Sequence, residues 1–121
     1  MARILIAEDE ETVRSFVSRA LEHFGHEVKA VPDGGAAVQE LSRRPYDLLL
    51  TDIVMPVMDG IALALKAAQD YPDMPILLMT GYAAEKQRAH NLDSLIHDVI
   101  SKPFSLDAIG AYVENALSNE D

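Results

Sequence analysis

The chain has 121 residues, a length typical of one domain, and its hydrophobic fraction of 49% is that of a globular protein. Asp and Glu number 20 against 10 Lys and Arg, which gives a net charge of −10. This charge disfavours binding to nucleic acid or docking on an anionic membrane, because both need a basic surface.

The chain contains no cysteine, which excludes disulfides, thiolate metal sites and cysteine nucleophiles. Its N-terminal apolar run is too short for a signal peptide, and no stretch approaches the ~18 apolar residues of a membrane span. We therefore expect a cytoplasmic protein that forms a single domain over residues 1–121.

The first half of the chain contains two strand patterns, each followed by a helical pattern. Residues 4–7 are a continuous apolar run, typical of a strand buried on both faces. Apolar residues recur at helical spacing over residues 13–24, and Gly25 is a stop signal. Glu27–Val31 alternates between polar and apolar residues, which predicts a strand nearer the sheet edge. The turn at residues 33–35 opens a weaker helix.

The second half continues the alternation. Residues 48–50 and 76–79 are continuous apolar runs that predict two more buried strands. Asp59 and Gly60 precede the helical pattern between these strands, and residues 84–92 form a weaker pattern rich in Ala and charge. Asp98–Ser101 is a fifth candidate strand.

A final helix begins after Ser105, which can cap it, and turns Ile109 and Val113 inward. The resulting (βα)5 pattern predicts an α/β sandwich of three layers, with helices on both faces of a parallel sheet. The simplest doubly wound strand order is 2-1-3-4-5, because it places the alternating strand at an edge and the continuous runs inside.

Acidic side chains follow two strands that are neighbours in this order. Glu8 and Asp9 follow the first strand, and Asp52 follows the third. Ligands of such sheets bind beyond the carboxyl ends of the strands, where the order reverses, and that point lies between these two strands. Carboxylates this close repel one another unless a cation joins them, and their oxygens suit Mg²⁺. For Glu8 and Asp9 alone, a solvated acidic loop is the alternative.

The remaining strand ends add a hydroxyl and an amine to the same edge. Thr80 follows the fourth strand and Lys102 the fifth. Taken singly, they would be a strand-end cap and a surface lysine. Together with a carboxylate nucleophile and Mg²⁺, they form a phosphoryl-transfer set, in which the metal and the lysine neutralise charge on the transferred group.

Four spaced segments resemble the response regulator receiver domains of two-component signalling, the CheY-like family. They are residues 4–10, 49–60, 79–82 and 102–104. The resemblance extends from Arg3 to about Leu117 and implies the flavodoxin/CheY-like fold.

The resemblance also implies a role for each site residue. Asp52 would accept a phosphoryl group from a histidine kinase or a histidine phosphotransferase. Thr80 and Lys102 would contact that group, and the Lys102–Pro103 peptide would be cis. The Mg²⁺ ligands would be Glu8, Asp9, Asp52 and the main-chain carbonyl of Val54.

The chain departs from the family pattern at several positions. Glu8 stands where the family often has Asp, and it should still serve the metal. Val99 replaces the Tyr or Phe that swings with the threonine in the family, so signalling is expected to use the loop that holds Gly81 and Tyr82. The bulky apolar residues Val54 and Tyr82 suggest slow hydrolysis of the acyl phosphate.

The chain ends soon after its last helix, so we expect no output domain and a signal carried by protein contacts. In the family the usual contact face is formed by the fourth and fifth helices and the fifth strand. That face would include Ala89 and Tyr112 here, although ordinary solvated helix surface is the alternative. The chain also resembles the CpdR type of stand-alone receiver. These are cell-cycle adaptors for an AAA+ protease, the ClpXP system, and are active when unphosphorylated.

Other functions stay open at this point. The chain could be a generic phosphorelay intermediate or a receiver fold used as a constitutive interaction module. A small phosphatase would need a second acid two residues after Asp52, where Val54 stands. A flavodoxin-like redox carrier would need a phosphate-cradling loop where Glu8 and Asp9 would repel phosphate. Apart from its own phosphotransfer and slow dephosphorylation, we expect no enzymatic activity.

The four histidines share no metal-ligand spacing, and we expect them at the surface. They are His23, His26, His90 and His97.

Overall fold

The computed structural model describes residues 2–118, which contain five parallel strands alternating with five helices. The strands form one sheet in the order β2-β1-β3-β4-β5, as predicted. The strands are β1 (Arg3–Ala7), β2 (Glu27–Val31), β3 (Leu48–Asp52), β4 (Ile76–Thr80) and β5 (Asp98–Ser101). The helices are α1 (Glu11–His23), α2 (Gly34–Arg43), α3 (Gly60–Asp70), α4 (Ala83–His90) and α5 (Leu106–Ser118). Within this range, no helix combines the length and apolar character needed to cross a bilayer.

Side chains of the central strands point alternately into two apolar layers, because successive strand residues face opposite sides of a sheet. Leu5, Leu49 and Leu78 pack with α2, α3 and α4, whereas Ile6 and Leu50 pack with α1 and α5. Every residue of β3 and β4 is buried, and only Val31 is buried in the edge strand β2. The continuous and alternating patterns therefore predicted the strand positions correctly.

The starts of three helices are fixed by side-chain caps. Asp33 accepts a hydrogen bond from the Ala36 N–H at 2.8 Å at the start of α2. The Asp59 carboxylate accepts a hydrogen bond from the Ala62 N–H at 2.9 Å at the start of α3. The Ser105 hydroxyl accepts one from the Ala108 N–H at 3.1 Å at the start of α5. Such caps satisfy N–H groups that have no partner inside the helix.

The strand register brings the functional residues to one edge of the sheet. Ala7 pairs with Thr51, and Asp52 pairs with Met79. Glu8, which follows β1, and Asp52 and Thr80, which end β3 and β4, therefore lie at the carboxyl edge, as the sequence pattern predicts.

The surface expectation is wrong for His26, which is only 8% exposed. Its Nδ1 accepts a hydrogen bond from the Ala2 N–H at 3.3 Å, and its Nε2 lies 3.3 Å from a Glu114 carboxylate oxygen of α5. The chain turns at Gly25, with φ at 93°, directly before His26, and the ring is buried between Ala2 and α5. Ala89 is also fully buried and is no part of an exposed face.

Candidate functional site

Three carboxylates meet at the carboxyl edge of β1 and β3. Glu8 is fully buried, Asp52 is nearly so, and Asp9 is exposed. One carboxylate oxygen from each lies within 4.8 Å of the others. Glu8 is therefore not part of a solvated loop, whereas the exposed Asp9 faces solvent.

Lys102 lies between two of these acids. Its Nζ is 2.9 Å from a Glu8 carboxylate oxygen and 3.0 Å from Oδ1 of Asp52. The main-chain N–H of Lys102 donates to the carbonyl of Thr80 at 2.9 Å, so the end of β5 is fixed against β4. The Lys102–Pro103 peptide is cis, as expected. The lysine is therefore a member of the site rather than a surface side chain.

The proton affinities of the three charged groups reflect their burial and their contacts with one another. Burial raises the pKa of Glu8 above its ordinary value, although the Glu10 N–H and Lys102 oppose the change. Burial also raises the pKa of Asp52, and the Asp9 carboxylate adds to that effect while Lys102 opposes it. Burial disfavours the charge on Lys102, but its hydrogen bonds to both acids prevail and raise its pKa. The contacts with Lys102 therefore reduce, but do not cancel, the effect of burial on the two carboxyl groups.

The donor atoms fit a divalent cation. Mg²⁺ prefers oxygen ligands and usually takes one or two carboxylates together with water. The close oxygens of Glu8, Asp9 and Asp52 supply such a set, with the exposed Asp9 on the solvent side. Val54, two residues after Asp52, has a side chain that is about half exposed.

Thr80 ends β4 at the same edge of the sheet. Its side chain is buried, and its hydroxyl accepts a hydrogen bond from the main-chain N–H of Tyr82 at 3.1 Å. The Tyr82 ring is 64% exposed, and Gly81 between the two is exposed as well. The β4–α4 loop thus begins with a direct contact to the threonine hydroxyl.

The other candidate switch residues lie away from the carboxylates. Val99 is buried in the layer that contains α2, α3 and α4, and its strand pairs it with Leu78. Tyr112 packs, half-buried, in the opposite layer with α1 and α5. A hydrogen bond of 2.9 Å from the Lys86 ammonium to the Ser101 hydroxyl connects α4 to β5.

Three contacts of this part of the fold were not predicted from the sequence. The Arg14 guanidinium donates to the main-chain carbonyl of Glu8 at 2.8 Å. Arg88 of α4 lies 3.5 Å from Asp59, the residue that caps α3. Gly60 lies directly beneath Asp52, and a Cβ at that position would be only 2.8 Å from the Cα of Ile53. Arg14 lies one helical turn after Glu10, and this spacing could have indicated that its side chain reaches the β1–α1 loop. The contacts of Arg88 and Gly60 depend on the assembled fold.

The sequence resembles those of known proteins along almost its whole length. The response regulator receiver domain matches residues 4–114. The response regulator receiver protein CpdR of Brucella abortus is 42% identical over 117 residues, which are 97% of this chain and 98% of CpdR. The sensor histidine kinase TmoS of Ectopseudomonas mendocina is 35% identical over 96% of this chain, which spans only 12% of TmoS.

Solved structures show the same architecture. NtrX from Brucella abortus superposes with a TM-score of 0.91 at 27% identity, over 98% of this chain and 27% of the NtrX chain. The response regulator TrrA from Thermotoga maritima, in complex with Mg²⁺-BeF, superposes with a TM-score of 0.88 at 27% identity, over 97% of this chain and 100% of TrrA. The flavodoxin/CheY-like prediction is confirmed, and the chain belongs to the response regulator receiver domain family of two-component systems.

Proposed function

We propose that this chain is a phosphorylation switch in which Asp52 is the phospho-acceptor. The observation that carries the proposal is the position of the Lys102 ammonium, 3.0 Å from Asp52 and 2.9 Å from Glu8 within a group of three carboxylates. A lysine and a metal-binding carboxylate group around a single buried Asp are suited to stabilising a phosphoryl group on that Asp.

The phosphoryl donor is the phosphohistidine of a histidine kinase or a histidine phosphotransferase. A carboxylate oxygen of Asp52 attacks the phosphorus, the nitrogen–phosphorus bond breaks, and the imidazole leaves as an acyl phosphate forms. Lys102 then pairs with an oxygen of the phosphoryl group. Thr80 donates its hydroxyl to another oxygen, and it gives up its contact with the Tyr82 N–H when its side chain turns.

The metal ligands are the carboxylates of Glu8, Asp9 and Asp52, together with the main-chain carbonyl of Val54. Bound Mg²⁺ would supply positive charge to the oxygens of the transferred group. The exposed Asp9 leaves the solvent side open for the water ligands that Mg²⁺ retains. The side chains of Val54 and Tyr82 shield the acyl phosphate from water, so that hydrolysis is slow.

Signalling depends on the β4–α4 loop, because Val99 supplies no ring that can swing. Gly81 gives this loop its freedom, and Tyr82 gives it a large exposed ring. The remaining contact surface is formed by α4, β5 and α5, with Tyr112 at its half-buried margin.

The test is the intact mass of the protein after incubation with acetyl phosphate, with and without Mg²⁺. We expect one phosphoryl group on the wild type in the presence of Mg²⁺, and none on Asp52→Ala. Labelling that survives Asp52→Ala would overturn the assignment. A folded wild type that is never labelled would favour a constitutive interaction module.

We further propose that the chain acts in the cytoplasm as a stand-alone adaptor for an AAA+ protease of the ClpXP type, active while Asp52 is unphosphorylated. The support is its likeness to CpdR, which is matched over 98% of its own length. Phosphorylation adds a charge of roughly −1.5 to −2, which is enough to change the preference of a contact surface.

This finer role is tested by capture of purified ClpX on the immobilised chain. We expect the wild type to capture ClpX and to lose it after treatment with acetyl phosphate and Mg²⁺, whereas Asp52→Ala keeps it after the same treatment. Equal capture before and after phosphorylation would indicate a constitutive interaction. No capture in either state would leave the role of a generic phosphorelay intermediate.

A further inference from the structure

Arg14 is a cation placed next to a site that binds a cation. It lies on the first turns of α1, where long side chains point back towards the helix N-terminus. Its guanidinium therefore reaches the β1–α1 loop, where Nη1 is 2.8 Å from the main-chain carbonyl oxygen of Glu8 and 3.4 Å from that of Asp9. Its bonds go to the backbone of the two acidic residues.

These contacts complete the set of bonds that hold Glu8. The Glu8 N–H donates to the Val31 carbonyl at 3.0 Å, and one carboxylate oxygen accepts from the Glu10 N–H at 3.0 Å. The other carboxylate oxygen lies 2.9 Å from Lys102. Arg14 holds the remaining polar group, the carbonyl, and thereby fixes the peptide that joins Glu8 to Asp9.

The consequence is greatest for Asp9, because its side chain is exposed and lacks the packing that surrounds Glu8. The direction of the Asp9 carboxylate depends on the backbone that carries it. Arg14 is close to both carbonyls, and its positive charge offsets the repulsion between two carbonyl dipoles that point towards the same place.

We propose that Arg14 is a positioning residue for the Mg²⁺ site, which holds the backbone of Glu8 and Asp9 so that their carboxylates meet the ion. The inference rests on the proposed function, because it assumes that these carboxylates bind Mg²⁺. It concerns a residue that touches neither the ion nor the phosphoryl group.

For the change in Mg²⁺ affinity when Arg14 is removed, the proposal and simple electrostatics predict opposite directions. Removal of a positive charge close to a divalent cation should by itself tighten Mg²⁺ binding. Loss of positioning should weaken it, and loss of a residue that orients metal ligands typically weakens binding by about 10- to 100-fold. We expect Arg14→Gln to weaken Mg²⁺ binding by about three- to tenfold, a smaller effect because the contact is to the backbone of the ligands.

The experiment is calorimetric titration of the metal-free chain with MgCl₂. The matched control is Arg19→Gln, which removes the same charge from an exposed position of α1, where the Arg19 guanidinium donates to the Ser15 hydroxyl at 3.5 Å. We expect the control to bind Mg²⁺ like the wild type. Arg14→Lys keeps the charge but replaces the planar set of guanidinium donors with a compact ammonium, so its dissociation constant should lie between those of the wild type and Arg14→Gln.

A second measurement separates positioning from a purely structural role. The melting temperature of each variant is measured in EDTA, where no metal contributes. A lowered melting temperature with an unchanged Mg²⁺ dissociation constant would overturn the proposal, as would tighter binding by Arg14→Gln. A wild type that binds no Mg²⁺ would overturn the metal site of the proposed function and this inference together.

Discussion

Gly60 lies against the main-chain carbonyl of Asp52, so closely that a Cβ at residue 60 would occupy the space of that oxygen. The Gly60 N–H also donates to the carbonyl of Ile53 at 2.7 Å. The first residue of α3 is thus packed on the backbone of the proposed phospho-acceptor. The obstacle is backbone rather than the end of a flexible side chain, so it cannot move aside at low cost.

We therefore expect Gly60→Ala to lower the free energy of unfolding by about 2–3 kcal/mol or more, as overpacking of a rigid site does. Urea denaturation measures this difference. Gly81→Ala is the matched control, because a Cβ there would lie 3.8 Å from the Cβ of Lys102, an ordinary contact. A change within about 0.5 kcal/mol is expected for the control. Equal losses in both variants would contradict the packing explanation.

Asp52→Asn should stabilise the metal-free protein near neutral pH. The folded pKa of Asp52 lies above its ordinary value of 3.8, so the folded state holds this proton more tightly than the unfolded state. Wild-type stability therefore falls as pH rises through the folded pKa, and the asparagine variant escapes this loss. The stability advantage of Asp52→Asn over the wild type should vanish as the pH falls to the ordinary Asp pKa of 3.8.

The measurement is urea denaturation in EDTA at a series of pH values. Asp9→Asn removes the same charge from an exposed side chain and should change stability less. Mg²⁺ should then raise the melting temperature of the wild type but not that of Asp52→Asn, because a ligand stabilises the state that binds it. A wild type that is more stable than Asp52→Asn in EDTA near neutral pH would contradict the prediction.

Lys102→Gln should destabilise the protein near neutral pH by about 1–3 kcal/mol, because it leaves the buried Glu8 carboxylate without its cation. The loss should shrink as the pH falls through the raised pKa values of Glu8 and Asp52, since neutral carboxyl groups need no cation. Chemical denaturation of the single variants and of Lys102→Gln/Glu8→Gln measures their coupling. The double variant should lose less free energy of unfolding than Lys102→Gln alone, because it no longer contains the unpaired Glu8 carboxylate. Lys86→Gln, at an exposed hydrogen bond, is the control.

His26→Ala should lower the free energy of unfolding by about 1–3 kcal/mol, since it removes a buried ring and leaves the Ala2 N–H without its acceptor. His90→Ala is the control, because the side chain of His90 is 54% exposed and its ring lies 3.7 Å from the exposed Asp93 carboxylate. Thermal or urea unfolding of the two variants gives the comparison. Losses of equal size would show that burial of the His26 ring contributes little.

The strand order and the site edge followed from the sequence because both depend on local patterns. Short continuous apolar runs such as residues 76–79 are typical of strands in a sheet covered on both sides, and parallel strands present their carboxyl ends together. Asp52 and Lys102 could therefore be placed at one edge before their contact was known. Their roles remain proposals.

The misses have a common cause in tertiary contacts that leave no periodic signal. His26 stands next to a turn, and only the fold brings α5 over its ring. Ala89 is one small residue in a polar helix, and its burial depends on how α4 lies on the sheet. The contact of Arg88 with Asp59 joins two helices whose relative position no local pattern encodes.

Helix α4 buries a single residue, Ala89, and contacts of its charged side chains supplement that small apolar contact. Arg88 joins it to Asp59 at 3.5 Å across a surface that water and dissolved ions reach freely. Attraction between exposed charges declines with ionic strength, over a screening length of about 8 Å in physiological salt. The stability of the contact between α4 and the rest of the fold therefore depends on the salt concentration as well as on the sequence. Concentrated salt should loosen this helix before it affects the apolar layers on either side of the sheet.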